Sequence, residues 1–214
     1  MRPEAFVFDA YGTLYDVHSV AARCESNWPG KGAQLSLLWR AKQLEYTWQR
    51  SLMQRYAPFS TVTRDALAYS CEVLELELSV AQVEGLIAEY LNLSLYPDVV
   101  RTLQALNTRK AILSNGSPDM LLPLVQNSGL ELDAVISVDE LRIFKPAPQV
   151  YALAVEKLHL DHSKIGFVSS NCWDAMGAKS YGFQVYWINR AGAPVDRLGF
   201  KPDRILASLN EILL

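Results

Sequence analysis

The sequence predicts an α/β protein, a doubly wound parallel sheet with an inserted helical cap, and three observations predict it. Short apolar runs ending in polar or small residues recur along the chain. Helix-length segments separate most of them, and one long stretch near the N-terminus breaks the alternation with helical patterns alone. Strands that alternate with helices need crossover connections, so they run parallel and carry helices on their faces.

The first strand is residues 5–9, Ala5-Phe6-Val7-Phe8-Asp9, apolar until its final carboxylate. Residues 17–93 contain no convincing strand. Within them Leu37, Ala41, Leu44, Trp48 and Leu52 are spaced by four or three residues and form one helical stripe. Thr63 and Ser79 are placed to cap further helices. The chain returns to the sheet near Tyr96-Pro97-Asp98. Strands are then expected at 111–114, 134–137, 165–169 and 185–188, each short and apolar enough to be buried on both faces. Helices are expected at 99–108, 118–128, 149–158 and 175–181, several closed by glycine or asparagine. This order divides the chain into a core of residues 1–16 and 94–214 and a cap of residues 17–93, set over the carboxyl edge of the sheet.

At 214 residues the chain suits one core with a sizeable insertion. Half the residues are apolar, a fifth are charged and the net charge is −3, which is the profile of a folded globular protein. That balance lacks the concentrated basic footprint a nucleic acid would require. Four apolar positions before Asp9 are too few for a signal-peptide core, and no run of about 18 apolar residues follows, so a cytoplasmic protein without a membrane partner is expected. Cys24, Cys71 and Cys172 are odd in number and widely spaced, which reads as free thiols. His18, His159 and His162 share no metal-ligand spacing; the last two read as exposed and His18 as a residue that seats the cap.

Ligands of doubly wound sheets bind at the carboxyl ends of the strands. There this sequence presents Asp9-Ala10-Tyr11-Gly12-Thr13, Ser114-Asn115-Gly116 and Ser169-Ser170-Asn171-Cys172-Trp173-Asp174, together with the turn Phe144-Lys145-Pro146. Taken singly, each has an ordinary reading as a turn, a helix cap or a solvated side chain. Together they gather two carboxylates, an ammonium, hydroxyls and amides at one edge.

These four segments, in this order, resemble the motifs of the haloacid dehalogenase superfamily, whose core is Rossmann-like and whose cap occupies the position of the helical stretch here. Within it the sequence is similar to the L-2-haloacid dehalogenases. The phosphatases of the superfamily carry a second aspartate two residues after the nucleophile, where this chain has Tyr11, and more acid in the fourth motif, where it has Ser169, Ser170 and Asn171 before Asp174. A hard dication prefers carboxylate oxygen, so no catalytic metal and no other cofactor is expected. Halide, unlike a phosphate ester's alcohol, leaves without a proton.

The resemblance implies that Asp9 displaces halide from a small 2-halocarboxylic acid and that water then hydrolyses the aspartyl ester. Inversion occurs in the first step, and an L-2-haloalkanoic acid becomes a D-2-hydroxy acid. Lys145 and Thr13 would hold Asp9 ionised and oriented. Arg40 and Asn115 would cradle the halide, Ser114 the substrate carboxylate, and Tyr11, Leu44, Phe59 and Trp173 the alkyl part. Asp174 and Asn171 would position the water, Ser169 would maintain their network, and Tyr151 matches a site residue of the family. Relatives are commonly dimers, so a homodimer is expected. Two other readings stand beside this one: a Mg²⁺-dependent phosphatase of the same superfamily, and a non-catalytic protein that binds small carboxylates.

Overall fold

The computed structural model describes residues 3–214. In chain order its main elements are β1 (Ala5–Phe8), α1 (Ala21–Asn27), α2 (Gly32–Leu52), α3 (Phe59–Val73), α4 (Val80–Tyr90), α5 (Val99–Ala105), β2 (Arg109–Ser114), α6 (Pro118–Ser128), β3 (Ala134–Ser137), α7 (Pro148–Leu158), β4 (Ile165–Ser169), α8 (Cys172–Tyr181), β5 (Gln184–Ile188) and β6 (Arg204–Leu206). The strands form one parallel sheet in the order β3-β2-β1-β4-β5-β6. β1 is buried throughout because it pairs with β2 on one side and β4 on the other, under helices on both faces. The strand order reverses at β1, and a crevice opens there beyond the carboxyl ends of β1 and β4.

The helical insert α1–α4 leaves and rejoins the core through two adjoining strands of chain. Tyr15 bridges Leu95 in antiparallel fashion, Asp16 N donates to Ser94 O at 2.8 Å, and Tyr96 N donates to Leu14 O at 3.0 Å. Inside the insert, the fully buried Trp39 of α2 donates through Nε1 to Thr63 O of α3 at 2.8 Å. His18 meets Ser36 of α2 at 3.0 Å, which supports its expected place at the base of the insert, and His159 and His162 are exposed. Among the described residues no helix is long and apolar enough to cross a membrane.

Three sequence expectations need correction. The stripe on α2 is not its core face: Leu37 is 62% and Leu52 85% exposed, while Leu35, Ser36, Trp39, Gln43 and Thr47 are buried. Gln43 and Thr47 are polar yet buried because each is hydrogen-bonded, Gln43 to Thr63 Oγ1 at 2.7 Å and Thr47 to Leu44 O at 2.6 Å. Thr63 does not cap a helix. It lies within α3, which begins after Pro58, and its hydroxyl bonds back to Phe59 O at 2.7 Å. Ser79 does cap α4, in a reciprocal capping box with Gln82. Finally, α8 starts at Cys172 rather than 175 and α5 stops at Ala105 rather than 108, so Trp173 and Asp174 sit in the first turn of a helix.

Candidate active site

Asp9 follows the last residue of β1, where the apolar strand gives way to a tight turn. Gly12 takes φ +90°, a conformation that L side chains rarely adopt, and so lets the chain fold Thr13 back toward Asp9. Thr13 Oγ1 donates to Asp9 Oδ2 at 2.9 Å, and Asn171 Nδ2 donates to the same oxygen at 2.8 Å. The other oxygen, Oδ1, receives Lys145 Nζ at 3.1 Å. Asp9 is only 6% exposed.

Lys145 comes from the loop ahead of α7, in a cis peptide bond to Pro146. The side-chain carbonyl of Asn115, just past β2, accepts the Lys145 amide at 2.9 Å and ties this loop to the sheet edge. The buried ammonium also donates to Asp174 Oδ2 at 2.9 Å and lies 5.1 Å from the centre of the Phe167 ring. Burial alone would favour neutral lysine, but Asp174 and then Asp9 outweigh it and hold its pKa above the ordinary 10.5. Asp174 is fully buried, and Tyr151 of α7 donates its hydroxyl to Oδ1 at 2.8 Å. Desolvation raises the Asp174 pKa to about 6 against the opposing pull of Lys145, and Asp9 adds to the rise. One buried cation thus serves two carboxylates.

The remaining predicted residues fall around this cluster. Arg40 of α2 reaches down from the insert, donating to Tyr11 O at 3.2 Å and to Gln43 Oε1 at 2.7 Å. Tyr11 packs against Phe59 with ring centres 5.3 Å apart, and burial pushes its phenol pKa well above the ordinary value, so it stays neutral. Leu44, Gly12, Asn171 and Trp173 line one cleft of about 470 Å³. Trp173 also meets Trp48 of α2 edge-on at 5.4 Å. Ser114 and Ser169 are buried and accept amides of their own loops, Gly116 N at 3.0 Å and Asn171 N at 3.1 Å. Cys172 is half-buried and accepts Asp196 N at 3.4 Å, while Cys24 and Cys71 are buried free thiols.

The donor set at Asp9 fits an amide better than a hard cation. Asn171 Nδ2 donates at once to Asp9 Oδ2 and, at 3.1 Å, to Tyr11 O. Two oxygens that converge as a dication would need are already bridged by N–H groups, and Tyr11 brings no carboxylate to replace them.

Sequence reasoning missed two residues near the cluster. Gln43 is buried under Arg40 and fixes its guanidinium; a polar residue between apolar positions of α2 was its only signal. Arg190 lies just beyond β5, on the wall of the cleft, and bonds to Ser170 Oγ at 2.7 Å and Thr13 O at 3.2 Å. Its signal was its place, two residues past the apolar run that forms β5 and so at the same carboxyl edge as the other site residues.

Comparison with known proteins gives consistent matches. The family model described as a haloacid dehalogenase-like hydrolase matches residues 3–182. An (S)-2-haloacid dehalogenase of Pseudomonas sp. (strain YL) is 46% identical over 215 residues, covering 98% of this chain and 93% of its own. Haloacetate dehalogenase H-2 of Moraxella sp. (strain B) is also 46% identical, over 98% of this chain and 96% of its own. The crystal structure of an L-2-haloacid dehalogenase from Xanthobacter autotrophicus with chloropropionic acid covalently bound superposes with a TM-score of 0.93, at 42% identity over 100% of this chain and 97% of that one.

Proposed function

The chain belongs to the haloacid dehalogenase-like hydrolases, and from that premise we propose that it hydrolyses small L-2-haloalkanoic acids to D-2-hydroxy acids and halide. The observation that carries this reading is Lys145 held between Asp9 and Asp174, with the amide of Asn171 on the far oxygen of Asp9. The relatives named (S)-2-haloacid dehalogenase and the relative with covalently bound chloropropionic acid support it. The phosphatase alternative is not favoured, because Tyr11 offers no acid for a leaving alcohol and N–H groups bridge the oxygens a dication would take.

In the first step an Asp9 oxygen attacks C2 of the substrate from the face opposite the halogen. The new C–O bond forms as the carbon–halogen bond breaks, the halide leaves with the electron pair, and the centre inverts. Oδ2 accepts two hydrogen bonds and Oδ1 one, so Oδ1 retains a free lone pair for the attack. Arg40 and Asn115 stabilise the departing halide. Ser114 holds the substrate carboxylate, and Tyr11, Leu44, Phe59 and Trp173 receive the alkyl group.

In the second step water attacks the Asp9 ester carbonyl. Asp174 takes the proton of the water with a pKa near 6, close to working pH. Thr13 and Asn171 donate to Oδ2, the carbonyl oxygen on which charge develops, Lys145 faces Oδ1, the oxygen that leaves with the product, and Ser169 and Tyr151 keep Asn171 and Asp174 in place. The ester C–O bond then breaks on the carbonyl side, and the departing alkoxide takes back the proton that Asp174 removed from the water, relayed by Lys145 between them. The new Asp9 carboxylic acid loses its proton to solvent, and configuration at C2 is retained through this step.

The same proposal divides the chain into a cap at residues 17–93 and a core at 1–16 and 94–214, of which Met1 and Arg2 lie outside the described residues. It also includes a homodimer, supported by the exposed Leu37 and Leu52 of α2. A single-turnover reaction in heavy-oxygen water tests the mechanism. Label should appear first in the Asp9 carboxylate and not in the hydroxy acid; label appearing directly in the product would refute the ester.

A further inference from the structure

Arg190 stands outside the residues to which the resemblance gives roles, yet it joins three segments at the carboxyl edge of the sheet. Its Nη1 donates to Ser170 Oγ at 2.7 Å, in the turn before α8. Its Nη2 donates to Thr13 O at 3.2 Å, in the turn after β1, and to Asp98 Oδ1 at 3.1 Å, where the chain re-enters the core from the insert. The face of the guanidinium lies 4.0 Å from the centre of the Tyr96 ring.

We propose that Arg190 is a positioning residue for Asp9, acting through Ser170 and Thr13. Ser170 is held at both ends, its hydroxyl by Arg190 and its amide by donation to Thr13 Oγ1 at 2.8 Å. A hydroxyl has one proton, and because Thr13 Oγ1 accepts the Ser170 amide, that proton is directed to Asp9 Oδ2 at 2.9 Å. Arg190 also holds the Thr13 carbonyl, so the backbone and side chain of Thr13 are both fixed. With Asn171 on the same oxygen and Lys145 on the other, the Thr13 hydroxyl helps to fix the orientation of the Asp9 carboxylate.

The requirement is for shape more than for charge. Asp98 neutralises Arg190 and is itself fixed by the Leu209 amide at 2.7 Å, so little net field from this pair reaches Asp9. A planar fork bonds Ser170, Thr13 and Asp98 while its face covers Tyr96; a lysine ammonium cannot do both. Displacement at a saturated carbon depends on in-line geometry, and a misplacement of about 1 Å can cost on the order of a hundredfold in rate.

This inference rests on the dehalogenase reading, and the two fail separately: wild-type halide release tests the reading, and the ratio of variant to wild type tests Arg190. Rapid-quench halide release from L-2-chloropropionate is measured for the wild type, Arg190→Lys and Ser170→Ala, and for Arg190→Ala with and without added guanidinium. All are assayed at one temperature well below the lowest Tm among them, where each is fully folded, so that bare destabilisation does not enter the ratio. First-turnover release is expected to slow about tenfold or more in Arg190→Lys with KM within about twofold, to slow less in Ser170→Ala, and to recover in part when guanidinium is supplied to Arg190→Ala. First-turnover rates within about twofold of wild type in both Arg190→Lys and Ser170→Ala would overturn the proposal. These two variants decide the matter even if Arg190→Ala does not fold.

Discussion

Asp174→Asn separates the electrostatics of the cluster from its chemistry. The carboxyl is fully buried beside Lys145 and Asp9, and desolvation moves its pKa from 3.8 to about 6. A carboxyl whose folded pKa is raised contributes stability below its unfolded pKa and loses that contribution as pH rises through the folded one. A shift of about two pKa units at about 1.4 kcal/mol each makes the ionised side chain cost about 3 kcal/mol above pH 7. Asparagine keeps the shape, removes the charge and leaves Lys145 paired with Asp9. The variant should therefore match the wild type near pH 4, where Asp174 is protonated, and exceed it at pH 8 by up to about 3 kcal/mol, or about 6–12 °C in Tm. Chemically, the ester should form but not turn over, giving one halide per chain in a burst and then a steady rate lower by about a hundredfold or more. Denaturant unfolding at both pH values and rapid-quench halide release measure the two effects. Wild-type steady turnover would remove Asp174 as the base, and a variant less stable than wild type at pH 8 would contradict the electrostatic account.

Lys145→Met leaves two buried carboxylates without their cation, so turnover should vanish and stability should fall by about 3–5 kcal/mol at pH 8, less at pH 5 where Asp174 can take a proton; urea unfolding at each pH checks this. The wild-type kcat should fall as pH drops through about 6, where Asp174 protonates, and should show no alkaline limb from Lys145 below pH 10, because its pKa is held above 10.5. A profile flat across pH 6 would contradict the first statement. Arg40→Gln should lower kcat by about tenfold to a hundredfold and penalise 2-chloropropionate more than 2-bromopropionate, since chloride is the poorer leaving group; equal losses would remove Arg40 from the halide site. Gly177→Ala places a methyl group 2.6 Å from Pro146 Cβ and against the Tyr151 hydroxyl, and it should cost about 1–3 kcal/mol on thermal unfolding while slowing turnover through the displaced Tyr151.

The core of the fold was legible because a parallel sheet buried on both faces leaves little ambiguity: an unbroken apolar run such as Ala5–Phe8, too short for a helix and ending in a carboxylate, suits a central strand. β6 was not legible. It is a short edge strand whose Arg204 and Ile205 reach solvent, so it carries no apolar run. The face of α2 could not be read from periodicity, because apolar residues occur on both sides of the helix. Leu35 and Trp39 pack inward, Leu37 and Leu52 face solvent, and buried Gln43 and Thr47 break the pattern through hydrogen bonds to partners distant in sequence or within the helix itself. In the candidate site, Asp9, Lys145, Asn171, Asp174 and Tyr151 meet in one hydrogen-bonded cluster although they lie far apart in the sequence. What stayed hidden was the way those residues are held. Arg190 supports Thr13 from 177 residues further along the chain, and spacing alone carries no sign of that contact.

Halide release from the separate enantiomers of 2-chloropropionate, in the presence of a chelator and with chiral analysis of the lactate, tests hydrolysis, inversion and independence of metal in one measurement. Release is expected from the L enantiomer alone, with D-lactate as the product and no loss of rate on chelation. Release that requires a divalent cation, L-lactate from the L substrate, or no release from either enantiomer would contradict the proposed reaction.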